Sequence, residues 1–138
     1  MAVEQTWNDV LEESSGIDIR PVPEGRRGMT PGKSMLYPSA RMINEAIRAI
    51  PRGESVTPKE LRSELARRHD AEYTCPVTTT IMLRIVAEAA NEAHRGGAPL
   101  ADVTPVWRVL DKRASALRKL TFDPTYLLDE RAREGLPS

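Results

Sequence analysis

A mainly α-helical domain with a small β-hairpin is what this sequence predicts, and three observations carry the prediction. Apolar residues recur at helical spacing twice, as Ile43, Ala46, Ile47 and Ile50, and as Val77, Ile81, Ile85 and Ala89. Between these stripes, Val56-Thr57-Pro58-Lys59-Glu60-Leu61 spells a helix start with every signal in place. After them, Val103, Thr104, Val106, Trp107 and Val109 form a β-branched and aromatic run, the composition of a strand. A chain of 138 residues fits one domain, or one domain with a tail. Its 40% apolar and 4% aromatic content makes the expected core single and mainly aliphatic.

The elements follow in order. Trp7, Val10 and Leu11 stand at i, i+3, i+4 behind Thr6 as cap, which predicts a short helix over residues 7–14, ended by Gly16. From Ile17 to Lys33 the chain holds Pro21, Pro23, Gly25, Gly28, Pro31 and Gly32 without apolar periodicity. That stretch reads as a long connection, either wrapped over the surface or mobile. Ser39 caps the next helix, and Pro51 and Gly53 stop it. In the following helix the Thr57 hydroxyl can accept from the Glu60 amide while the Glu60 carboxylate reaches back to the Thr57 amide, a reciprocal capping box. Pro58 at the first helical position gives up no bond, because that amide has no partner in any helix.

A longer helix is expected to start near Pro76–Thr79 and to end at Gly96-Gly97; Val77, Ile81, Ile85 and Ala89 line one face, and Met82, Val86, Ala90 and Ala93 widen it into a stripe buried on more than one side. Residues 102–110 then read as a strand, 111–115 as a loop and 116–120 as a weaker second strand. A last helix has Asp123 as cap, Pro124 as first residue, Tyr126, Leu127 and Leu128 as apolar face, and Gly135 as stop. Two successive helices followed by a hairpin give a winged helix-turn-helix-like order. Residues 1–34 precede it as an N-terminal extension, a short helix plus the proline- and glycine-rich connection.

Charge and composition narrow the function. The net charge of zero counts against a strongly electrostatic nucleic-acid binder. The distribution is uneven, however. Residues 1–16 carry Glu4, Asp9, Glu12 and Glu13 and no base, whereas residues 105–121 carry Arg108, Lys112, Arg113, Arg118 and Lys119 against Asp111. No apolar run approaches the roughly 20 residues of a membrane span, so no membrane role is expected. Neither a basic start nor an apolar segment marks a secretory signal. The single cysteine, Cys75, excludes an internal disulfide and fits a reducing cytoplasm. Two histidines and one cysteine are too few for an ordinary zinc site, and nothing in the sequence calls for a cofactor.

Two motifs share an order that carries more. Ile50-Pro51-Arg52-Gly53 is followed by Val56-Thr57 opening a helix, and about fifty residues on by Pro105-Val106-Trp107-Arg108-Val109. Together they resemble the C-terminal domain of the alkylguanine-DNA alkyltransferases, over about Tyr37 to Gly135. The resemblance implies an alkyltransferase-like winged-helix domain over residues 35–138. Thr74-Cys75-Pro76-Val77-Thr78-Thr79, with Thr104 to Arg108, also looks like a bacterial branch described only as alkyltransferase-like. The first 34 residues are too short to supply the family's N-terminal domain.

In the family the later motif reads Pro-Cys-His-Arg-Val. Its cysteine accepts an alkyl group from a flipped base, and its histidine helps form the thiolate. Here Val106 stands at the cysteine position and has no heteroatom. Trp107 stands at the histidine position and offers an indole N–H, a donor that cannot act as a base. The family's nucleotide-rotating tyrosine falls on Pro58, and the arginine that fills the gap left by the flipped base falls on or near Cys75. The Gly-Gly that follows the family's hairpin is missing around Phe122–Thr125. Val106, Trp107, Pro58 and Cys75 are thus the expected remains of a degenerate pocket, and no catalytic residue is assigned. A non-catalytic branch with tryptophan in place of the cysteine binds alkylated guanine as a repair signal, although Trp107 falls one position late for that comparison.

The expected function is therefore a non-enzymatic DNA-binding protein, with recognition of altered bases in DNA repair as its sharper form. Thr78, Thr79 and Arg84 would act from the long helix, and Arg108, Lys112 and Arg113 from the basic hairpin, on double-stranded DNA. The alternative is a protein-interaction module that keeps the fold and has lost DNA, with a protein partner instead. A third reading places chemistry at Cys75, at a helix start with His69 six residues away, although a structural cysteine explains that position better. Trp107 likewise reads first as core cladding, and His94 as a cation suited to a helix C-terminus.

Overall fold

The computed structural model describes residues 5–138. Half of the described residues are helical, and they hold one three-stranded sheet, so the domain is mainly α. The elements are α1 (Trp7–Glu13), β1 (Ile19–Pro21), β2 (Ser34–Leu36), α2 (Ala40–Arg48), α3 (Pro58–Arg68), β3 (Tyr73–Thr74), α4 (Pro76–Arg95) and α5 (Thr125–Arg133). Three 3₁₀ turns, Leu100–Asp102, Val106–Arg108 and Ser115–Lys119, lie between α4 and α5. No helix among the described residues is long and apolar enough to cross a membrane.

The capped starts fall where the side chains demand them. Thr6 accepts from the Asp9 amide, and Asp9 accepts from the Thr6 amide in return. Ser39 accepts from Met42 N. Thr57 and Glu60 close their box at 3.1 Å in both directions. Thr57→Ala is expected to lower stability by about 1 kcal/mol, read from the urea midpoint. At the last helix Asp123 caps one residue away from expectation. Its carboxylate accepts from the Thr125 amide and hydroxyl, and Pro124 is the boundary residue of α5.

The hairpin expected over 102–120 does not form, and this is the main correction to the sequence reading. Pro105 interrupts the β-branched run and cannot donate a ladder bond. Val106 N bonds the Thr104 carbonyl instead, and Val109 N and Leu110 N both bond the Val106 carbonyl, curling the chain inward. Val106, Val109 and Leu110 enter the core as a consequence. The strands lie elsewhere, in the stretch read as a connection. β1 pairs antiparallel with β2 in the register Ile19↔Leu36, and β2 pairs parallel with β3 in the register Leu36↔Thr74. The intervening glycines Gly25, Gly28 and Gly32 all have positive φ, which suits a loop that must reverse within a few residues.

The core gathers Leu36 with Ile43 and Ile47 of α2, Leu61 and Leu65 of α3, Leu83 and Val86 of α4, and Leu127 of α5. A second, smaller cluster on the sheet holds Val22, Met35 and Cys75. Long-range polar bonds fix the layers. Glu92 on α4 accepts from the amides of Trp7 and Asn8, satisfying the start of α1 with a carboxylate. Glu88, 1% exposed, accepts from the amide and hydroxyl of Thr121 and ties the segment before α5 to α4.

Helix α4 buries the second half of the stripe expected of it and exposes the first. Val86, Ala89 and Ala90 are inside and Ile85 is half-buried, but Val77 and Ile81 are 59% and 50% exposed, and Thr79 and Leu83 are buried in their place. Thr79 can sit inside because its hydroxyl donates to the Cys75 carbonyl at 2.7 Å, leaving no buried donor unmatched.

Candidate functional site

The two motifs that carry the family resemblance meet in space. The 3₁₀ turn Val106–Arg108 packs against the turn at residues 50–53. Arg108 Nη1 donates to the Ile50 carbonyl at 2.8 Å, and Val56 N donates to the Arg108 carbonyl at 2.9 Å. The residue that joins them is Glu134, at the end of α5. Its carboxylate accepts from Trp107 Nε1 at 2.6 Å, from Arg108 Nε at 3.0 Å and from the Gly53 amide at 2.9 Å. Gly53 has φ 87°, a left-handed conformation that aims this amide at the carboxylate and that a side chain would strain. Burial pushes the Glu134 carboxyl up, but Arg108, the Gly53 amide and the Trp107 indole outweigh it and hold its pKa at about 2. Sequence reasoning missed Glu134, because its role appears only once α5 folds back on the turn.

Val106 is fully buried and faces the aliphatic core. Trp107 is 5% exposed and locked through its indole N–H. The Trp107 carbonyl accepts from the buried Arg131 at 2.7 Å. Pro58 starts α3 half-buried. Cys75, 1% exposed, belongs to the small sheet cluster and not to the core around Val106, so the four residues expected at a degenerate pocket do not line one cavity. Beside Trp107 there is nonetheless an open cleft of about 400 Å³, floored by Leu100, Val103, Pro105 and Trp107 and edged by Arg48 and Arg52.

The six expected DNA contacts divide. Thr79 is inside and cannot touch a ligand from there. Arg108 is committed to Glu134 and Ile50. Arg84 is half-buried, with its guanidinium 5.5 Å above the Trp7 ring. Thr78 is half-buried, and its hydroxyl donates to Cys75 Sγ at 3.4 Å. Lys112 and Arg113 are exposed, as are Arg118 and Lys119, and none of the four forms an ion pair among the described residues. The turn that carries Arg118 and Lys119 packs along α4.

Cys75 has the features of a structural cysteine. Burial pushes its thiol up, yet the Thr78 hydroxyl, the Thr78 and Val77 amides and the Arg26 guanidinium bring it net below the ordinary thiol value. No hydrogen bond joins it to His69 among the described residues. His94 Nδ1 donates to the Ala98 carbonyl at 2.9 Å, closing the end of α4. Among the described residues no three His, Cys, Asp or Glu side chains stand close enough to hold a metal. No family model, curated protein or solved structure matches this chain.

Proposed function

We propose that this protein is a non-enzymatic, alkyltransferase-like DNA-binding protein that lies on duplex DNA without extruding a base. In this reading α3, the connection through β3 and α4 form a helix-turn-helix, and the open first half of α4 faces the duplex. The observation that carries it is the group of four exposed, unpaired cations, Lys112, Arg113, Arg118 and Lys119, on the segment beside α4. Such cations gain by displacing the counterions condensed on phosphate. The reading is non-enzymatic because Val106 supplies no nucleophile and Trp107 no base. It omits base extrusion because flipping costs a few kcal/mol, and Pro58 and the buried Cys75 stand where the family's rotating tyrosine and gap-filling arginine would act.

The test is anisotropy of a labelled duplex over a salt series. Affinity is expected to fall linearly with log salt, and Lys112→Gln with Arg113→Gln should reduce that slope by about 2. A duplex containing alkylated guanine should bind no more tightly than its unmodified counterpart. Salt-independent binding, an unchanged slope in the double variant, or a clear preference for the lesion would each overturn the reading.

One observation favours the second reading, a protein-interaction module. Val77 and Ile81 place two aliphatic side chains one helical turn apart in solvent. A stable protein partner that protects α4 from hydrogen exchange, with no salt-sensitive DNA binding, would decide for it.

A further inference from the structure

The cleft beside Trp107 takes no residue from α4 and none of the exposed cations Lys112, Arg113, Arg118 and Lys119, so what it binds is independent of the DNA reading. Two guanidiniums stand at its edge. Arg48 is in the last turn of α2 and Arg52 in the turn four residues on; both are exposed and neither forms an ion pair among the described residues. Arg48 Nη2 reaches the Asp102 carbonyl at 3.4 Å, a long bond that leaves the other donors of its guanidinium free. The two carboxylates that also line the cleft are already compensated, Glu134 by Arg108 and Glu130 by Arg133. The uncompensated charge in the cleft is therefore positive.

The floor is of another kind. Val103, Pro105 and Trp107 are mostly buried and close its base, stiffened by a proline ring and an indole that Glu134 holds in place, while half-buried Leu100 and exposed Ala101 supply the apolar wall. A volume of about 400 Å³ lies within the range of small-ligand sites, which pair a mostly apolar wall with a few convergent polar groups. Guanidinium groups match phosphate oxygens with paired N–H bonds, where an ammonium offers only a point charge. We propose that this cleft binds a phosphate monoester with a flat aromatic body, of the nucleoside monophosphate class. Arg48 and Arg52 hold the phosphate, and the ring lies along the wall at Leu100, over the base that Pro105 and Trp107 close.

Titration of the full chain with guanosine monophosphate, followed by calorimetry, tests this. The nucleotide is expected to bind saturably, and guanosine and ribose phosphate at least about tenfold more weakly, since each lacks one half of the recognised chemistry. Arg48→Gln with Arg52→Gln should weaken nucleotide binding at least about tenfold. Ala101→Trp, made from an exposed position at the mouth, should weaken it by blocking entry. Lys112→Gln with Arg113→Gln should leave it unchanged while reducing DNA binding, which separates the two sites. Absence of saturable binding, equal binding of ribose phosphate and the nucleotide, or full binding by both cleft variants would overturn the proposal.

Discussion

Glu134→Ala is expected to lower stability by about 3–5 kcal/mol, because it leaves the Arg108 guanidinium partly buried without its counterion. Trp107 Nε1 and the Gly53 amide lose their acceptor in the same step. The wild-type side chains of Arg108 and Glu134 are only 14% and 1% exposed, so water cannot readily replace the carboxylate. Glu134→Gln keeps one acceptor oxygen and should fall between the two. The pH dependence provides a separate check. The folded carboxyl titrates at about 2, below the usual glutamate value near 4.3. A depressed carboxyl stabilises the fold fully above its unfolded pKa, and that stabilisation is lost as pH falls through the folded value. The wild type should therefore lose about 3 kcal/mol from this group between roughly pH 5 and 1, and Glu134→Gln should lack that component. Urea midpoints measured on both proteins at neutral and acid pH give the comparison; parallel acid profiles would refute it.

Arg131→Ala should cost a similar amount, about 3 kcal/mol, for a different reason. Arg131 is 3% exposed and faces no carboxylate in its hydrogen-bonding shell. Its guanidinium donates to the carbonyls of Trp107 and Pro137 and to Ser55 Oγ, joining α5, the turn 106–108, the segment before α3 and residues 136–137. Burial pushes its pKa down, but a guanidinium keeps its proton. Truncation removes the donors from the buried Trp107 carbonyl and from the part-buried Pro137 carbonyl and Ser55 hydroxyl, and takes the hydrophobic stem from the core. Arg131→Lys should recover little, since one ammonium cannot span acceptors arranged for a planar fork. Urea unfolding of both variants is the measurement, and a loss below about 1 kcal/mol for Arg131→Ala would show that water replaces the guanidinium.

What could be read in advance was local. The helix starts at Thr6, Ser39 and Thr57 are written in a hydroxyl and the amides two or three residues after it, so composition and spacing suffice. The strands β1 and β2 left no such mark. β1 is three residues long, wholly exposed and contains a proline, and its pairing depends on a loop closing over twelve residues. The run 102–110 had strand propensity, yet one proline redirected its backbone, a case of tertiary context overriding preference. Helix α4 was placed correctly, and its second half buries expected residues, but its first half exposes Val77 and Ile81, because hydropathy ranks them above Thr79 and cannot see the bond that makes Thr79 fit to bury. At the candidate site, the motifs at 50–53 and 105–109 were legible as a pair. Glu134, Arg131 and the Arg48–Arg52 edge were not, since each acts across a chain reversal.

The bridge made by Glu134 also bears on the order in which this chain can mature during synthesis. Residues 50–53 and 105–109 both precede α5 in the chain, and until it packs Trp107 and Arg108 lack their buried acceptor. A chain cut before α5 should expose apolar surface and aggregate, and restoring α5 should close it in one cooperative step. The bonds of Glu134 thus make maturation of the turn wait for α5.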